Sequence, residues 1–261
     1  MIKIENVNFG FHKDKQVLRH ISFELKKGET LAIVGASGCG KSTLLRIISG
    51  ILPNSKHNFL TGEINLDGLT PDQYRQSDKL AFMFQEATLL PNLTVKQNVE
   101  VPLNIKDQSN PEKVEELINT VGLTEYGSYL PKQLSGGMKT RVALARSFTT
   151  NPDLLLLDEP FSALDIAWKS KLYVELEKLI NEAASTVVIV THDVQEALLL
   201  ADHVIVMNRN GSIEARKEIN SGYTIMDRVK DISGYMNSVY EAYMLPIQDA
   251  IINGQNRTDE K

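Results

Sequence analysis

Apolar and polar residues alternate near the start of the chain. Apolar side chains stand at positions 2, 4 and 7 and again at positions 21, 23 and 25. A period of two is typical of strands that bury one face of a sheet, because successive side chains point to opposite faces. The pattern therefore predicts two half-buried antiparallel strands, joined through residues 12–15.

Farther along, short strand-like runs alternate with segments of helical periodicity. The predicted strands lie at residues 31–34, 63–66, 80–84, 154–157 and 186–190. The predicted helices lie at residues 42–49, 166–182 and 194–200. A closing hairpin joins residues 204–207 to residues 213–215 through a turn that contains Asn210 and Gly211. Strands that alternate with helices indicate an α/β fold with a mainly parallel sheet, covered by helices on both faces.

Two segments depart from this alternation. Between residues 86 and 151 helical patterns and polar loops predominate, with Pro111 at a helix start, which predicts an inserted helical subdomain. From residue 225 to 243 apolar residues recur in steps of four and three, which predicts one helix ending at Pro246. This helix either packs on the body of the protein or serves a subunit contact or regulation. We expect one domain over residues 1–220 and a helical tail over residues 221–261, frayed from residue 255.

Composition narrows the classes of protein to consider. The 261 residues are 42% hydrophobic, which is enough to bury a sizeable core. The longest apolar runs are strand-sized and fall short of the roughly 20 residues of a membrane helix. The first residues lack the apolar core of a signal peptide, and the single cysteine, Cys39, cannot form an internal disulfide, so we expect a cytosolic location. A net charge of -5 argues against a nucleic-acid partner.

A glycine-rich segment stands between the strand at 31–34 and the helix that follows. It matches the pattern G-x-x-x-x-G-K-[ST], in which backbone N–H groups and a helix N-terminus bind phosphate. Lys41 is expected to bridge the β- and γ-phosphates, and the Ser42 hydroxyl to bind Mg²⁺. The predicted nucleotide-binding residues here are Gly35, Ala36, Ser37, Gly38, Cys39, Gly40, Lys41, Ser42 and Thr43.

Cys39 adds a separate hypothesis. It lies near a helix N-terminus, where thiolates are stabilised, so alkylation of its thiol would block ATP binding and ATP would protect it. The alternative is that Cys39 is an ordinary loop residue.

Two carboxylates end the strand predicted at 154–157. Open α/β sheets bind ligands at the carboxyl ends of their strands. Asp158 is therefore expected to hold Mg²⁺ through water, and Glu159 to polarise the attacking water. Gln85, at the end of the strand over 80–84, can reach Mg²⁺ or that water with its amide. The alternatives are that Asp158 and Glu159 form an ordinary strand end and that Gln85 is a surface residue.

The pentapeptide at residues 134–138, Leu-Ser-Gly-Gly-Met, precedes a further helical pattern. Ser135 is a candidate helix N-cap. Gly136 and Gly137 leave N–H groups exposed at the positive end of the helix, which makes an anion site without a phosphate in its own chain. His192 follows the strand at 186–190, where an isolated histidine is usually structural.

Taken in order, these motifs resemble those of ABC-type ATPases. The resemblance covers residues 2–215 and implies a P-loop NTPase fold with a RecA-like core, an antiparallel β subdomain and the inserted helical subdomain. It implies that ATP drives a head-to-tail dimer, in which residues 135–137 of one chain contact the γ-phosphate held by its partner. His192 would then sense the γ-phosphate without necessarily acting as a base. Phe11 would stack on adenine, unless it only packs against Phe9.

Several segments look most like the ATPase subunits of bacterial nitrate, sulfonate and taurine importers. They lie at residues 89–99, 134–138 and 158–165. This likeness implies transmembrane permease subunits as partners, an indirect link to a solute-binding protein, and a peripheral position on the inner face of the cell membrane. Asn92 and Thr140 depart from the Trp and Gln common in that group, which weakens the inference of an anionic solute. The pentapeptide at residues 134–138 resembles the signature of ABC-type ATPases, in which Met138 replaces the more usual Gln.

Three functions stay open at this point. The first is an ATPase subunit that energises a membrane importer for a small solute, such as an organic or inorganic anion. The second is an ATPase for export or lipid extraction, and the third is a soluble assembly factor such as those of iron–sulfur scaffolds. All three require ATP and Mg²⁺.

Overall fold

Two β-sheets and several helices make up the part of the chain that the structure describes. The computed structural model describes residues 2–12, 15–52, 58–219 and 225–256. The strands are β1 (Ile2–His12), β2 (Lys15–Leu25), β3 (Thr30–Gly35), β4 (Phe59–Leu66), β5 (Leu80–Met83), β6 (Leu154–Asp158), β7 (Thr186–Val190), β8 (His203–Met207) and β9 (Ile213–Glu218). The α-helices are α1 (Lys41–Ile48), α2 (Pro71–Gln76), α3 (Val95–Ile105), α4 (Pro111–Thr120), α5 (Gly136–Phe148), α6 (Ile166–Ala183), α7 (Val194–Leu200), α8 (Ile225–Lys230), α9 (Ile232–Val239) and α10 (Leu245–Asn256). The predicted turn at residues 13–14 and the predicted frayed end beyond residue 256 lie outside the described residues.

The larger sheet has the strand order β5-β6-β7-β3-β8-β9, parallel throughout except for the β8–β9 hairpin. Its central strands are buried on both faces, so alternate side chains enter two different cores. In β6, Leu154 and Leu156 pack in the core that contains α1. Leu155 and Leu157 pack in the core that contains α5 and α6. The uninterrupted apolar run of β6 follows from this double burial.

The smaller sheet is antiparallel, with the order β2-β1-β4. The predicted pairing of the first two strands is confirmed, with Ile4 opposite Phe23 and Val7 opposite Ile21. Strand β4 adds to the other edge of β1. The buried face of this sheet shares a core with α1 and with one face of the larger sheet.

Sequence reasoning missed two helix starts that have a clear local signal. Thr70 and Thr94 cap α2 and α3, and each forms a capping box with the glutamine three residues later. In a capping box the N-cap hydroxyl accepts from the N3 backbone N–H, while the N3 side chain accepts from the N-cap N–H. The sequence pattern Thr-x-x-Gln could have located both helices.

Helices α3, α4 and α5 lie between β5 and β6 along the chain, although these two strands are neighbours in the sheet. Helix α3 packs against both α4 and α5. The pentapeptide at residues 134–138 stands at the start of α5, so it is carried by this helical segment.

The tail consists of several short helices, and the expectation of one helix ending at Pro246 was wrong. The first break comes at Asp231, whose Oδ1 accepts a hydrogen bond from the Gly234 N–H at 2.9 Å and caps α9. A π-helical segment, Tyr240–Met244, follows, and Pro246 lies in the first turn of α10. Val239 and Ile247 are buried in the core that contains α5 and α6. No helix within the described residues is both long and apolar enough to cross a membrane.

The turn between β8 and β9 depends on a glycine, which gives a test of the fold. Gly211 has a φ of +81°, and a Cβ there would collide with the backbone carbonyl of Val17. We expect Gly211→Ala to lower the free energy of unfolding by more than Gly28→Ala, because Gly28 has a φ of +80° in open surroundings. Gly28→Ala should cost about 1 to 2 kcal/mol from backbone strain alone. Urea unfolding measures both losses, and equal losses would contradict the predicted collision.

Candidate active site

The loop at residues 36–40 connects β3 to α1. Gly40 stands at the N-cap of α1 with a φ of 104°, and a Cβ there would lie 2.8 Å from the Leu18 side chain. Glycine satisfies both the left-handed backbone and the close approach. No side chain caps the first turn of α1, so its N–H groups are available to an anion.

Lys41, the first residue of α1, is buried, which is unusual for a lysine. Its Nζ donates hydrogen bonds to the carbonyl oxygens of Gly35 at 2.8 Å and Ala36 at 3.0 Å. Both carbonyls belong to the same loop, so the ammonium group is held beside the phosphate-binding backbone. Phosphate oxygens could replace these carbonyls as its partners.

Cys39 does not have the features of a reactive thiol. Its side chain is buried, and this burial raises the pKa of the thiol, an effect that the nearby Lys41 charge only partly opposes. The hypothesis of a stabilised thiolate was therefore wrong, because desolvation outweighs the positive charge. The structure favours the alternative of an ordinary loop residue.

Ser42 and Asp158 form a buried polar pair between α1 and β6. The Ser42 hydroxyl donates to Asp158 Oδ1 at 2.8 Å, and Asp158 is 0% exposed. Within the described residues Asp158 Oδ2 has no hydrogen-bond partner. Burial raises the pKa of Asp158, while the Ser42 hydrogen bond and the Arg46 charge act in the opposite direction.

This pair fits a bound Mg²⁺. Magnesium prefers oxygen ligands and is commonly bound by one or two protein groups together with phosphate oxygens and water. The unpaired Asp158 Oδ2 and the Ser42 hydroxyl provide such a donor set. Among the described residues no three His, Cys, Asp or Glu side chains cluster into a site made of protein ligands alone, so phosphate and water would have to complete the coordination.

Glu159 lies at the centre of a small group of polar side chains. Its Oε2 is 3.4 Å from Gln85 Nε2 and 3.3 Å from His192 Nδ1. These residues follow β5, β6 and β7, whose carboxyl ends lie at one edge of the sheet. Glu159 also has a φ of 48°, a conformation that is uncommon for residues other than glycine and is found at functional sites.

The surrounding backbone holds Glu159 in this conformation. Its N–H donates to the Val190 carbonyl at 2.9 Å, and its own carbonyl accepts from the Ser162 hydroxyl at 3.0 Å. Strand β7 on one side and the loop after β6 on the other thus hold the backbone of Glu159, and with it the carboxylate.

A cavity of about 360 Å³ joins these groups to the phosphate loop. Phe11 forms part of its wall, with 42% of its surface exposed and its ring in edge contact with Phe9, 5.1 Å between centroids. The cavity is lined by Phe11, Lys15, Val17, Ser37, Gly38, Gly40, Lys41, Ser42, Thr43, Gln85 and Glu159. Gly35, Ala36, Cys39, Asp158 and His192 are not among its lining residues.

Sequence reasoning missed Lys15 and Val17 in this wall. No motif marks them, and they reach the cavity because β2 pairs antiparallel with β1, which places Lys15 opposite His12 and close to Phe11. The alternation of apolar and polar residues predicts strand β2, but it does not predict which of its side chains line a cavity.

The pentapeptide lines a different cavity, of about 470 Å³. Ser135 caps α5, and its Oγ accepts a hydrogen bond from the Met138 N–H at 3.2 Å. Gly136 and Gly137 lie beside it, together with residues 163–165 of the loop after β6. The two cavities share no lining residue, so they are separate on this chain.

The order and geometry of these motifs agree with comparisons to known proteins. The sequence profile of the family described as ABC transporter matches residues 18–162, more than half of the chain. The chain belongs to the ABC transporter family.

Named relatives and solved structures of this family are similar over most of the chain. The chain is 39% identical over 226 residues to the aliphatic sulfonates import ATP-binding protein SsuB of Bacillus thuringiensis subsp. konkukian, covering 85% of this chain and 87% of that protein. It is 46% identical over 198 residues to SsuB 1 of Xanthomonas axonopodis pv. citri, covering 74% and 75%. The dimeric ATP-binding cassette MJ0796, solved in a post-hydrolysis state with ADP and Pi, superimposes with a TM-score of 0.75 at 32% identity, covering 85% of this chain and 100% of that one.

These comparisons confirm the predicted P-loop NTPase fold and the ATPase activity of this ABC family member. The similar relatives are named as import ATP-binding proteins. The importer interpretation is therefore favoured over export, lipid extraction and soluble assembly. The roles of the individual site residues stay predictions.

The buried Asp158 carboxylate predicts how stability depends on pH. Burial raises its folded pKa above the ordinary 3.8, so between about pH 4 and the raised value the folded chain keeps a proton that the unfolded chain has lost. Stability falls as the pH rises through this window, and the loss persists above it. We expect Asp158→Asn to raise the thermal midpoint at pH 7 and to flatten its pH dependence when nucleotide and metal are absent.

The exposed Asp249 provides the control, because Asp249→Asn changes the same group in open solvent. Calorimetry between pH 4 and 8 compares the two variants with the unsubstituted chain. A lower midpoint for Asp158→Asn at pH 7 would show that the carboxylate does not destabilise the fold.

Proposed function

We propose that this protein hydrolyses ATP as one of two cassettes in a dimer and so energises a membrane importer for a small solute. The separation of the two cavities on one chain carries the proposal. One cavity has the phosphate loop and Glu159, and the other has the serine and glycines at the start of α5. In a head-to-tail pair, the phosphate-loop cavity of each chain faces the Ser135 cavity of its partner. This contact occurs twice, because a two-fold axis makes every contact reciprocal.

In the phosphate-loop half-site, the backbone of residues 35–43 binds the phosphates and Phe11 stacks on the adenine base. Lys41 supports this assignment because its ammonium group already lies beside the loop, held by carbonyl oxygens that phosphate oxygens can replace. Ser42 and Asp158, with Gln85, would hold Mg²⁺, which would offset phosphate charge. The partner's residues 135–137 complete the site with N–H groups and the Ser135 hydroxyl.

Glu159 accepts the proton of the attacking water at its carboxylate, as a general base positioned at the strand end. Gln85 and His192 flank this carboxylate within 3.4 Å, so both can orient the water or the γ-phosphate without leaving their strands' ends. His192 is 60% exposed, which leaves its ring accessible to a phosphate bound from the cavity side.

A groove of about 260 Å³ beside β5 suits a permease contact. It lies between the edge strand of the sheet and helices α3 and α5, and Ile105 at its rim is 78% exposed. Movement between the helical segment and the sheet would change the width of this groove. We propose that a cytoplasmic helix of the permease docks here, which places the chain on the inner face of the membrane.

The solute is proposed from the relatives. Two of them are named for aliphatic sulfonates, and another similar protein is named for sulfate and thiosulfate. We propose an organic or inorganic anion, with an aliphatic sulfonate as the first to test. Selection itself would reside in the permease and a solute-binding protein.

Glu159→Gln tests the hydrolytic assignment. The amide keeps the shape of the side chain but cannot accept a proton, so turnover should fall about 100- to 10,000-fold. ATP binding should persist, and an ATP-bound dimer should accumulate on size-exclusion chromatography. Glu182→Gln, at an exposed position on α6, is the matched control and should hydrolyse ATP normally.

The same pair of variants separates import from the other functions. In cells with the matching permease and solute-binding protein, Glu159→Gln should abolish uptake of the labelled sulfonate, and Glu182→Gln should not. Uptake that persists with Glu159→Gln would exclude this chain as its energy source.

Mixed dimers test the composite site. Lys41→Ala disables the phosphate loop and Ser135→Arg blocks the signature, so each variant alone should be inactive. Co-expressed with different tags and purified as mixed dimers, the two should form one intact site in each dimer and recover up to about half of normal turnover.

The control is a mixed dimer of the unsubstituted chain with the double variant Lys41→Ala/Ser135→Arg. It has no intact pair of half-sites in the head-to-tail arrangement and should stay inactive. Activity in this control, with no recovery in the first mixture, would show that each chain hydrolyses ATP with its own two cavities.

A further inference from the structure

Helix α7 is short, and it begins two residues after His192, the candidate sensor of the γ-phosphate. It has seven residues, and helices of this length are not stable on their own. At its N-terminal end Asp193 Oδ1 accepts hydrogen bonds from the N–H groups of Gln195 at 2.9 Å and Glu196 at 3.3 Å. Its order must therefore come from these caps and from its neighbours.

The other end of α7 is held by the tail. Arg228 on α8 is 5% exposed, and its Nη1 donates to the carbonyl oxygens of Leu198 at 3.2 Å, Leu199 at 3.3 Å and Ala201 at 3.1 Å. The last carbonyls of a helix lack partners within the helix, and a positive charge at this end is favourable. A single guanidinium group thus binds two of them, together with the carbonyl of Ala201 just after the helix.

Tyr235 on α9 adds a second contact to the same end. Its hydroxyl donates to the Leu198 carbonyl at 2.9 Å, and its ring lies 5.4 Å from the Arg228 guanidinium. Tyr235 is buried, and the π-helical segment after α9 also packs against α7. Arg228 and Tyr235 together form what we call the tail clamp.

The first turn of α7 transmits its position to the strand end that carries His192. Glu196 is buried, and its carboxylate accepts from the Thr191 hydroxyl at 2.7 Å and from Lys169 Nζ at 2.6 Å. Tyr173 donates to the same carboxylate at 3.2 Å. Thr191 immediately precedes His192. A shift of α7 would therefore pull on Thr191 and displace the neighbouring His192.

The position of His192 depends on this backbone more than on its own side chain. The ring is 60% exposed, and it lies 3.3 Å from Glu159. A cavity of about 390 Å³ separates residues 192–195 from Met244 and Gln248 in the tail, which leaves space for the loop to move. The backbone on either side of this exposed ring, from β7 to the start of α7, therefore has to hold it in place.

We propose that Arg228 is a positioning residue for ATP hydrolysis, which holds His192 beside Glu159 through α7. This inference rests on the proposed role of His192 in the reaction. It makes the tail part of the ATPase machinery, because the group that orders the end of α7 comes from residues 225–256 and not from the body of the cassette.

Arg228→Met tests the inference, because Met removes the charge and the donors but keeps an apolar stem of similar length. We expect kcat for ATP to fall about 10- to 100-fold, as displaced catalytic groups do, with the KM for ATP changed by less than about twofold. Arg228→Lys retains the charge and should recover part of kcat. Arg216→Met is the matched control, since Arg216 also donates to a backbone carbonyl, but to that of Glu24 on β2 and not to α7.

The decisive measurement repeats these substitutions with His192→Ala in the same chain. If Arg228 acts through His192, Arg228→Met should lower kcat little further once His192 is absent, which is the non-additivity expected of coupled residues. A full additional loss of kcat in the His192→Ala background would overturn the inference. Unchanged kcat for His192→Ala alone would instead contradict the proposed role of His192, and loss of the effect of Glu159→Gln would contradict the proposed function, so the failures are distinguishable.

Tyr235→Phe covers the case in which Arg228→Met does not fold. It removes one hydroxyl from the tail clamp and leaves the buried ring in place. We expect a smaller loss of kcat, about 2- to 10-fold from one hydrogen bond, which also disappears in the His192→Ala background. A folded Tyr235→Phe protein with normal kcat would count against the tail clamp.

Discussion

Strands β5, β6, β7 and β3 lie side by side and in parallel, so their carboxyl ends meet at one edge of the sheet. Gln85, Glu159, His192 and the phosphate loop all follow these strands directly. No side chain of the site has to reach far, because the register of the sheet has already brought the chain segments together. The chemistry depends on this register, and the register depends on the two cores that bury the sheet on both faces.

The same edge of the sheet concentrates unfavourable features. Asp158 is a buried carboxylate with an unpaired oxygen, and Glu159 adopts a left-handed backbone conformation. Lys41 is a buried ammonium group that donates to backbone carbonyl oxygens. A cation would pair with Asp158 and a phosphate with Lys41, whereas the Glu159 backbone is held by its hydrogen bonds to Val190 and Ser162. A fold tolerates such local strain where the surrounding core is extensive, and β6 and β7 are buried along their whole length.

The elements around the two cavities belong to different parts of the chain. The cavity beside Ser135 is formed at the start of α5, whereas the cavity of the phosphate loop is formed at the edge of the sheet. The tail is connected to the second through α7, whose two ends are held by Asp193 and Arg228. The contacts of the tail with α7 therefore lead to the residue that follows β7, which lies beside the residue that follows β6.

The amino-acid sequence by itself determined the strands, most helices, the phosphate loop and the signature, because periodicity, glycine positions and strand-end carboxylates are local properties. It did not reveal Lys15 in the cavity wall, the burial of Cys39 or the break at Asp231. It also did not reveal Arg228 on the end of α7, since this contact joins residues about thirty positions apart through three carbonyl groups. Tertiary structure decided these features, because burial and the pairing of distant backbone groups leave no periodic pattern along the chain.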